Sequence, residues 1–216
     1  MSELSDFFAE RKQEVDAFIL FLEKIDQEPN YQIEIKILKS QAILMLYNLI
    51  EGTVNKGIEF IFDTINDDNL NHDEASQKIR IMWLRYFKLH LDDDGQHVER
   101  LSSIDDFINQ NINIDISIFR AINPSYFKGG SLDSRAIINI LKKFSIELDS
   151  SEHKLKEIKK ERNFLAHGEK SFTDIWQGKT LSDIRSTEMK VSEFLKQYIF
   201  EIEKYINDEN YKKLVG

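Results

Sequence analysis

The sequence predicts an all-α protein, on three observations. Its 216 residues include only two prolines and eight glycines, too few for a turn-rich β fold. Apolar residues recur at steps of three and four over most of the chain, which is the period of an amphipathic helix. Only one short stretch alternates with a period of two. With 41% hydrophobic residues, the chain has enough apolar material for a sizeable core.

The N-terminal half, residues 1–110, is predicted to be helical throughout. Pro29 and Asn30 separate the first two helices. Asp92, Asp93, Asp94 and Gly95 form a turn that lacks the ligand spacing and closing glutamate of an EF-hand, which favours a solvated loop over a metal site. The predicted helices run over about residues 5–28, 32–66, 73–91 and 98–109.

Residues 112–118 carry the only two-residue period. Isoleucines at 112, 114, 116 and 118 alternate with polar residues, which predicts a short strand or an extended arm.

The C-terminal half, residues 130–210, is predicted to hold three more helices. Ser131 or Asp133 caps a helix through Phe144. A second helix runs over about residues 151–167 and stops at Gly168, and the last covers about residues 182–207. Without a Gly/Ser-rich linker, residues 1–216 are expected to share one core as a single domain.

Composition excludes several classes of protein. The absence of cysteine rules out disulfides, thiolate metal sites and cysteine nucleophiles. No apolar run approaches the roughly 18 residues of a membrane span, and the acidic N-terminus has no apolar signal core. We therefore expect a cytoplasmic protein without membrane contact. The phosphate-cradling Walker pattern and serine-nucleophile motifs are absent, and the histidines and carboxylates show no convincing ligand spacing, so neither metal nor cofactor is expected.

Charge restricts any nucleic-acid surface to a local patch. The net charge is −9, which excludes a basic field over the whole molecule. Residues 153–170 are the exception, with six cations against three carboxylates. A solvated helix face and a phosphate-binding surface both fit this excess. The candidate substrate-binding residues are Lys156, Lys159, Lys160 and Lys170.

Arg162, Asn163 and His167 are the candidate catalytic residues. Asn163 and His167 lie four apart, on one face of the predicted helix, whereas Arg162 and His167 are about 140° apart around its axis. An imidazole exchanges protons near neutral pH, and a guanidinium holds phosphate oxygens in a bidentate fork. By spacing alone, a histidine beside an arginine at a helix end also fits a capping role.

Three segments of the chain share features with one known superfamily. Residues 159–168, Lys-Lys-Glu-Arg-Asn-Phe-Leu-Ala-His-Gly, contain an Arg-Asn-x-x-x-His pattern, and the other two segments are Phe127–Arg135 and Leu46–Thr53. The pattern resembles the signature of the HEPN superfamily (higher eukaryotes and prokaryotes nucleotide-binding), and the other two segments look like parts of a bacterial HEPN-like nuclease group. The resemblance implies a HEPN-type helical bundle with an additional N-terminal helical region. Glu51, in the N-terminal segment, is a candidate support for the site, and a structural role fits it equally well.

The resemblance also implies a function. Many HEPN proteins are metal-independent endoribonucleases that act as toxins or defence effectors, often as homodimers that bring two motifs into one cleft. Others are non-catalytic and bind a nucleotide or a protein partner, and that is the alternative. RNA is thus the expected substrate, with an antitoxin or a defence-system protein as a further partner. Arg162 would bind phosphate, Asn163 would orient the phosphate or His167, and His167 would transfer protons, leaving 2′,3′-cyclic phosphate and 5′-hydroxyl ends.

A homodimer would also overcome the separation of about 140° between Arg162 and His167 around the axis of one helix. Two such helices near a two-fold axis would bring Arg162 of one chain towards His167 of the other. Phe164, Leu165 and the connection Phe172–Trp176 are the apolar candidates for the contact, although Phe164 and Leu165 fit the monomer core equally well.

Overall fold

The computed structural model describes residues 2–26, 28–91, 112–127, 132–148, 153–175 and 180–213, with only the backbone given for 87–91. The predicted turn at 92–95 and helix at 98–109 lie outside these residues. The described chain is all-α. Its helices are α1 Glu3–Ile25, α2 Gln32–Asp67, α3 Gln77–Leu91, α4 Ile116–Ile122, α5 Pro124–Phe127, α6 Ser134–Leu141, α7 His153–Ala166, α8 Phe172–Ile175 and α9 Leu181–Asn207.

Helix α2 is the axis of the bundle. Its 36 residues pack against α1, α7, α8 and α9. At Gly57 the contact with α9 is so close that a Cβ atom would lie 2.5 Å from the Tyr198 hydroxyl oxygen. That hydroxyl donates a buried hydrogen bond of 2.9 Å to the Val54 carbonyl. Because glycine has no side chain, α2 and α9, the two longest described helices, can approach each other this closely.

One hydrophobic cluster joins α1–α3 with α6, α7 and α9. At one end of it Phe62, Phe119 and Phe144 bring their ring centroids within 5.4 to 5.6 Å of one another. Such tilted and stacked pairs add to the burial of their apolar area. No helix of the described residues is both long and apolar enough to cross a membrane.

The prediction of a strand or arm over residues 112–118 is correct only for its first half. Ile112 and Ile114 are buried in a non-helical segment, and the Asn66 side chain holds Ile114 by accepting from its N–H (3.2 Å) and donating to its carbonyl (3.0 Å). From residue 116 the chain is helical, because the Asp115 carboxylate accepts from the Ile118 N–H at 2.8 Å and caps α4. That cap overrides the two-residue pattern.

Three helix boundaries differ from the predictions by three residues or more. Helix α1 ends at Ile25, three residues early, before the 3₁₀ turn Pro29–Tyr31. Helix α3 begins at Gln77, because the Asn71 side chain accepts from the N–H groups of residues 73 and 74 and closes a turn there. The helix predicted to reach Phe144 stops at Leu141 and continues as a 3₁₀ turn.

Candidate functional site

The C-terminal end of α7 presents His167 to solvent. Gly168 adopts a left-handed φ of 68°, the Glu169 N–H donates to the Phe164 carbonyl at 2.9 Å, and the Gly168 N–H donates to the Leu165 carbonyl at 3.3 Å. This pair of bonds is the Schellman motif, so the predicted stop at Gly168 is confirmed. His167 occupies the cap position, is exposed, and forms no side-chain hydrogen bond within the described part of the chain.

Arg162 is held in place by α2. Its guanidinium carbon lies 5.0 Å from the ring centroid of Tyr47, which is fully buried. The guanidinium also donates to the Asn163 side-chain oxygen at 3.3 Å. Among the described residues it has no carboxylate partner. A half-buried guanidinium of this kind keeps most of its donors for an anion.

The Tyr47 hydroxyl stays neutral beneath this cation. Burial and the neighbouring Glu51 carboxylate raise the pKa of Tyr47 to about 12, against the opposing effects of the Leu132 backbone N–H and Arg162. Glu51 is half-buried and follows Tyr47 by one turn of α2. The predicted support residue therefore lies beside the ring on which Arg162 rests.

Lys159 forms an ion pair at the start of α6. Its ammonium donates to the Asp133 carboxylate at 2.8 Å, and the same carboxylate caps α6 by accepting from the Ala136 N–H at 2.9 Å. Burial opposes ionisation of Asp133, but these two bonds outweigh it, and its pKa is lower than usual. The prediction of Asp133 as a cap is confirmed, and Ser131, the alternative cap, lies outside the described residues.

The other predicted substrate-binding lysines are exposed. Lys156 faces solvent, and the ammonium groups of Lys160 and Lys170 lie 5.5 Å and 5.0 Å from the ring centroid of Phe164. Phe164 and Leu165 are half-buried against the core. Phe172 is 37% exposed, and its carbonyl accepts a hydrogen bond from the Ser40 hydroxyl on α2. Trp176 lies outside the described residues.

The fold thus connects Arg162 to Asn163 and to α2, connects Lys159 to the cap of α6, and leaves His167 outside these contacts. Arg162 and His167 are about 7.5 Å apart along α7 and on different faces of it. Sequence reasoning missed Tyr47 and Asp133 as partners, although both lie in segments that carry the HEPN resemblance. No group of three or more His, Cys, Asp or Glu side chains that could hold a metal ion occurs among the described residues.

Comparison with known proteins gives a single finding. No curated protein matches the chain, and no solved structure does. The family model of the MAE_28990-like HEPN proteins matches residues 1–211, nearly the whole sequence. The matched range includes every candidate residue of the site. The chain belongs to this HEPN family.

Proposed function

We propose that the protein is a metal-independent endoribonuclease. Membership of the HEPN family supports a nuclease or a nucleotide-binding module. The single observation that favours RNA cleavage is the state of Arg162: a guanidinium stacked on buried Tyr47, without a carboxylate partner in the described chain, five residues before an exposed imidazole. Such a group suits phosphate oxygens, and the imidazole suits proton transfer.

The proposed reaction uses the nucleophile that RNA carries. The ribose 2′-hydroxyl oxygen attacks the adjacent phosphorus and gives its proton to an imidazole, while the bond from phosphorus to the 5′-oxygen breaks and that oxygen takes a proton from water. Arg162 neutralises the charge that develops on the phosphate, and Asn163 orients the phosphate or the imidazole. The products are a 2′,3′-cyclic phosphate and a 5′-hydroxyl end.

A homodimer would bring an arginine and a histidine of the motif to the same phosphate. With two chains around a two-fold axis, Arg162 of one chain and His167 of the other can face the same phosphate. Ile33 and Ile37 on α2 are 64% and 41% exposed, and further along α2 the Ser40 hydroxyl donates to the carbonyl of Phe172, which is 37% exposed. We call Ile33, Ile37 and Phe172 the apolar patch. We propose this patch as part of the contact, because Phe164 and Leu165 are partly used by the monomer core.

The proposed biological role is that of a cytoplasmic toxin or anti-phage effector. An endoribonuclease of this type needs restraint in its own cell, which is the reason to expect an antitoxin or another defence-system partner. The family assignment and the charge of residues 153–170 support RNA as the substrate.

RNA cleavage by the purified protein tests the catalytic proposal. We expect cleavage of single-stranded RNA that persists in EDTA and leaves cyclic-phosphate ends. His167→Ala should abolish it, whereas His153→Ala, at the exposed first residue of the same helix, should not. Activity that is lost in EDTA and restored by magnesium would contradict the mechanism. Binding of RNA or nucleotides without cleavage would favour the non-catalytic alternative.

The shared cleft has its own experiment. Light scattering should give about twice the chain mass of 25.5 kDa, and Ile37→Glu should reduce it to the monomer. Arg162→Ala and His167→Ala proteins, dissociated and reassociated together, should regain cleavage that neither shows alone. A fully active monomer would exclude the shared cleft.

A further inference from the structure

A second basic surface lies beyond the motif, between α3 and the end of α6. A groove of about 410 Å³ is lined there by four cations, Lys78, Arg85, Lys142 and Lys143, and its lining contains no carboxylate. Within the described chain none of the four forms an ion pair, and Lys78, Arg85 and Lys142 are exposed. We call this surface the basic groove.

The basic groove differs in its lining from two other grooves of the described chain. The groove between α1 and α9 is lined by Lys12 and Lys196 together with Asp16 and Glu203. A neighbouring groove of about 470 Å³, which shares Lys78 with the basic groove, is lined by Lys78 and Lys204 together with Glu147 and Glu201. In a chain of net charge −9, these four cations form no ion pair within the described residues, and their mutual repulsion favours the binding of an anionic ligand.

The basic groove is connected to the motif by helix α6. Asp133, bound to Lys159, caps one end of α6, and Lys142 follows the other end, about 13 Å away along the axis. Arg135, Asn139 and Lys142 are spaced by four and three residues, so they share one face of the helix. Arg135 is exposed and close enough to Asp133 to lower its pKa. Arg135, Asn139 and Lys142 thus form a line of donors from the Lys159–Asp133 contact at the start of α6 to the basic groove.

The walls of the basic groove also offer aromatic and apolar surface that suits a nucleobase. Tyr126 and Met82 line it beside the cations, and Ile81 is 39% exposed at its edge. Proteins that hold single strands combine cations that follow the backbone with aromatic and apolar surface for the bases. A lone inorganic anion would need only the cations.

We propose that the basic groove is a second RNA-binding site, which holds the strand flanking the phosphate at Arg162. The inference rests on the proposed RNA-cleaving function for the role of Arg162. It explains how an acidic protein retains a polyanionic substrate: the contacts are concentrated along α6 and α7. It also assigns RNA-binding roles to Lys78, Arg85, Lys142 and Lys143.

The test measures binding apart from cleavage. In a His167→Ala background, fluorescence anisotropy of a labelled single-stranded RNA of about 16 nucleotides is followed against salt concentration. Removing two phosphate contacts with Arg85→Gln/Lys142→Gln should weaken binding about 20-fold at 0.1 M salt and reduce the salt slope by about 1.4. The matched control is Lys190→Gln/Lys196→Gln, which removes the same charge from exposed positions of α9 and should leave both values unchanged.

The outcomes separate this inference from the nuclease proposal. Weaker binding in the groove variant alone supports the basic groove, even if the wild-type protein cleaves no RNA. Unchanged binding in the groove variant overturns it, even if cleavage is robust. An equal loss in the α9 control also overturns it, because the effect would then follow net charge and not the groove.

Discussion

The two ends of the Arg-Asn-x-x-x-His motif differ in how the fold holds them. Arg162 rests on a buried ring of another helix, whereas His167 stands exposed at a helix cap with no side-chain bond within the described chain. A phosphate-binding group benefits from being fixed before the substrate arrives. The exposed imidazole is free of such constraints within the described chain. In the proposed dimer, one chain would build the anion-binding part of the site, and assembly would complete its proton-transfer part.

Alanine substitutions at the two ends should separate activity from stability. Both Arg162→Ala and His167→Ala should lower RNA cleavage by about 100-fold or more. Only Arg162→Ala should lower the free energy of unfolding, by about 1–2 kcal/mol, because it removes the contact with Tyr47. His167→Ala should change it by less than about 0.5 kcal/mol. Urea unfolding and cleavage rates check both, and an equal loss of stability would contradict the contrast.

Substitution of Tyr47 tests whether the ring positions Arg162. Tyr47→Phe keeps the aromatic face and should retain RNA affinity within about threefold. Tyr47→Leu removes that face and should weaken affinity by about 5- to 30-fold, as expected for the loss of a partly desolvated cation–π contact of 1–2 kcal/mol. Anisotropy in the His167→Ala background measures this effect. Equal affinities for the Phe and Leu proteins would show that the ring has only a packing role.

Gly168→Ala should act on the His167 end. The left-handed φ of 68° disfavours a Cβ atom, and nothing lies within 4 Å of the position it would take, so the cost is confined to the backbone. We expect a loss of about 1 kcal/mol in unfolding free energy. Gly52→Ala is the matched control, because a Cβ there meets Phe7 at an ordinary 3.6 Å inside α2 and should stabilise the helix by about 0.5–1 kcal/mol. Opposite signs are therefore expected for the two glycines.

Asp133→Asn should have a small effect on the free energy of unfolding, and this effect should depend on pH. Asparagine still caps α6 but loses the charge that faces Lys159, so we expect a loss of at most about 1 kcal/mol at pH 7. Because the pKa of Asp133 is lowered on folding, its contribution is present above the ordinary value of about 3.9 and disappears as pH falls through the folded value. Urea unfolding from pH 7 to pH 3 should show the two proteins converging. A difference that grows on acidification would contradict this assignment.

The features that the sequence predicted well depend on interactions between residues close together in the chain. The long helices and the stop at Gly168 follow from periodicity and from a glycine at a helix end, which act within a few residues. The contacts of Arg162 with Tyr47 and of Lys159 with Asp133 join helices far apart in the chain, and no spacing rule encodes them. The alternation of isoleucines failed at residue 116 for a local reason: one aspartate cap outweighed the pattern.

The close approach at Gly57 has a consequence for the motion of the site. Amides of α2 around this glycine are sealed by Tyr198 and Ile202, so their hydrogens should exchange with solvent only when the whole protein unfolds. The exposed end of α7 should exchange through local fraying, many orders of magnitude faster. Tyr47 lies ten residues before Gly57 on the same helix, about 15 Å away. We therefore expect the amides of α2 beneath Arg162 to exchange slowly and those at the His167 end of α7 to exchange fast.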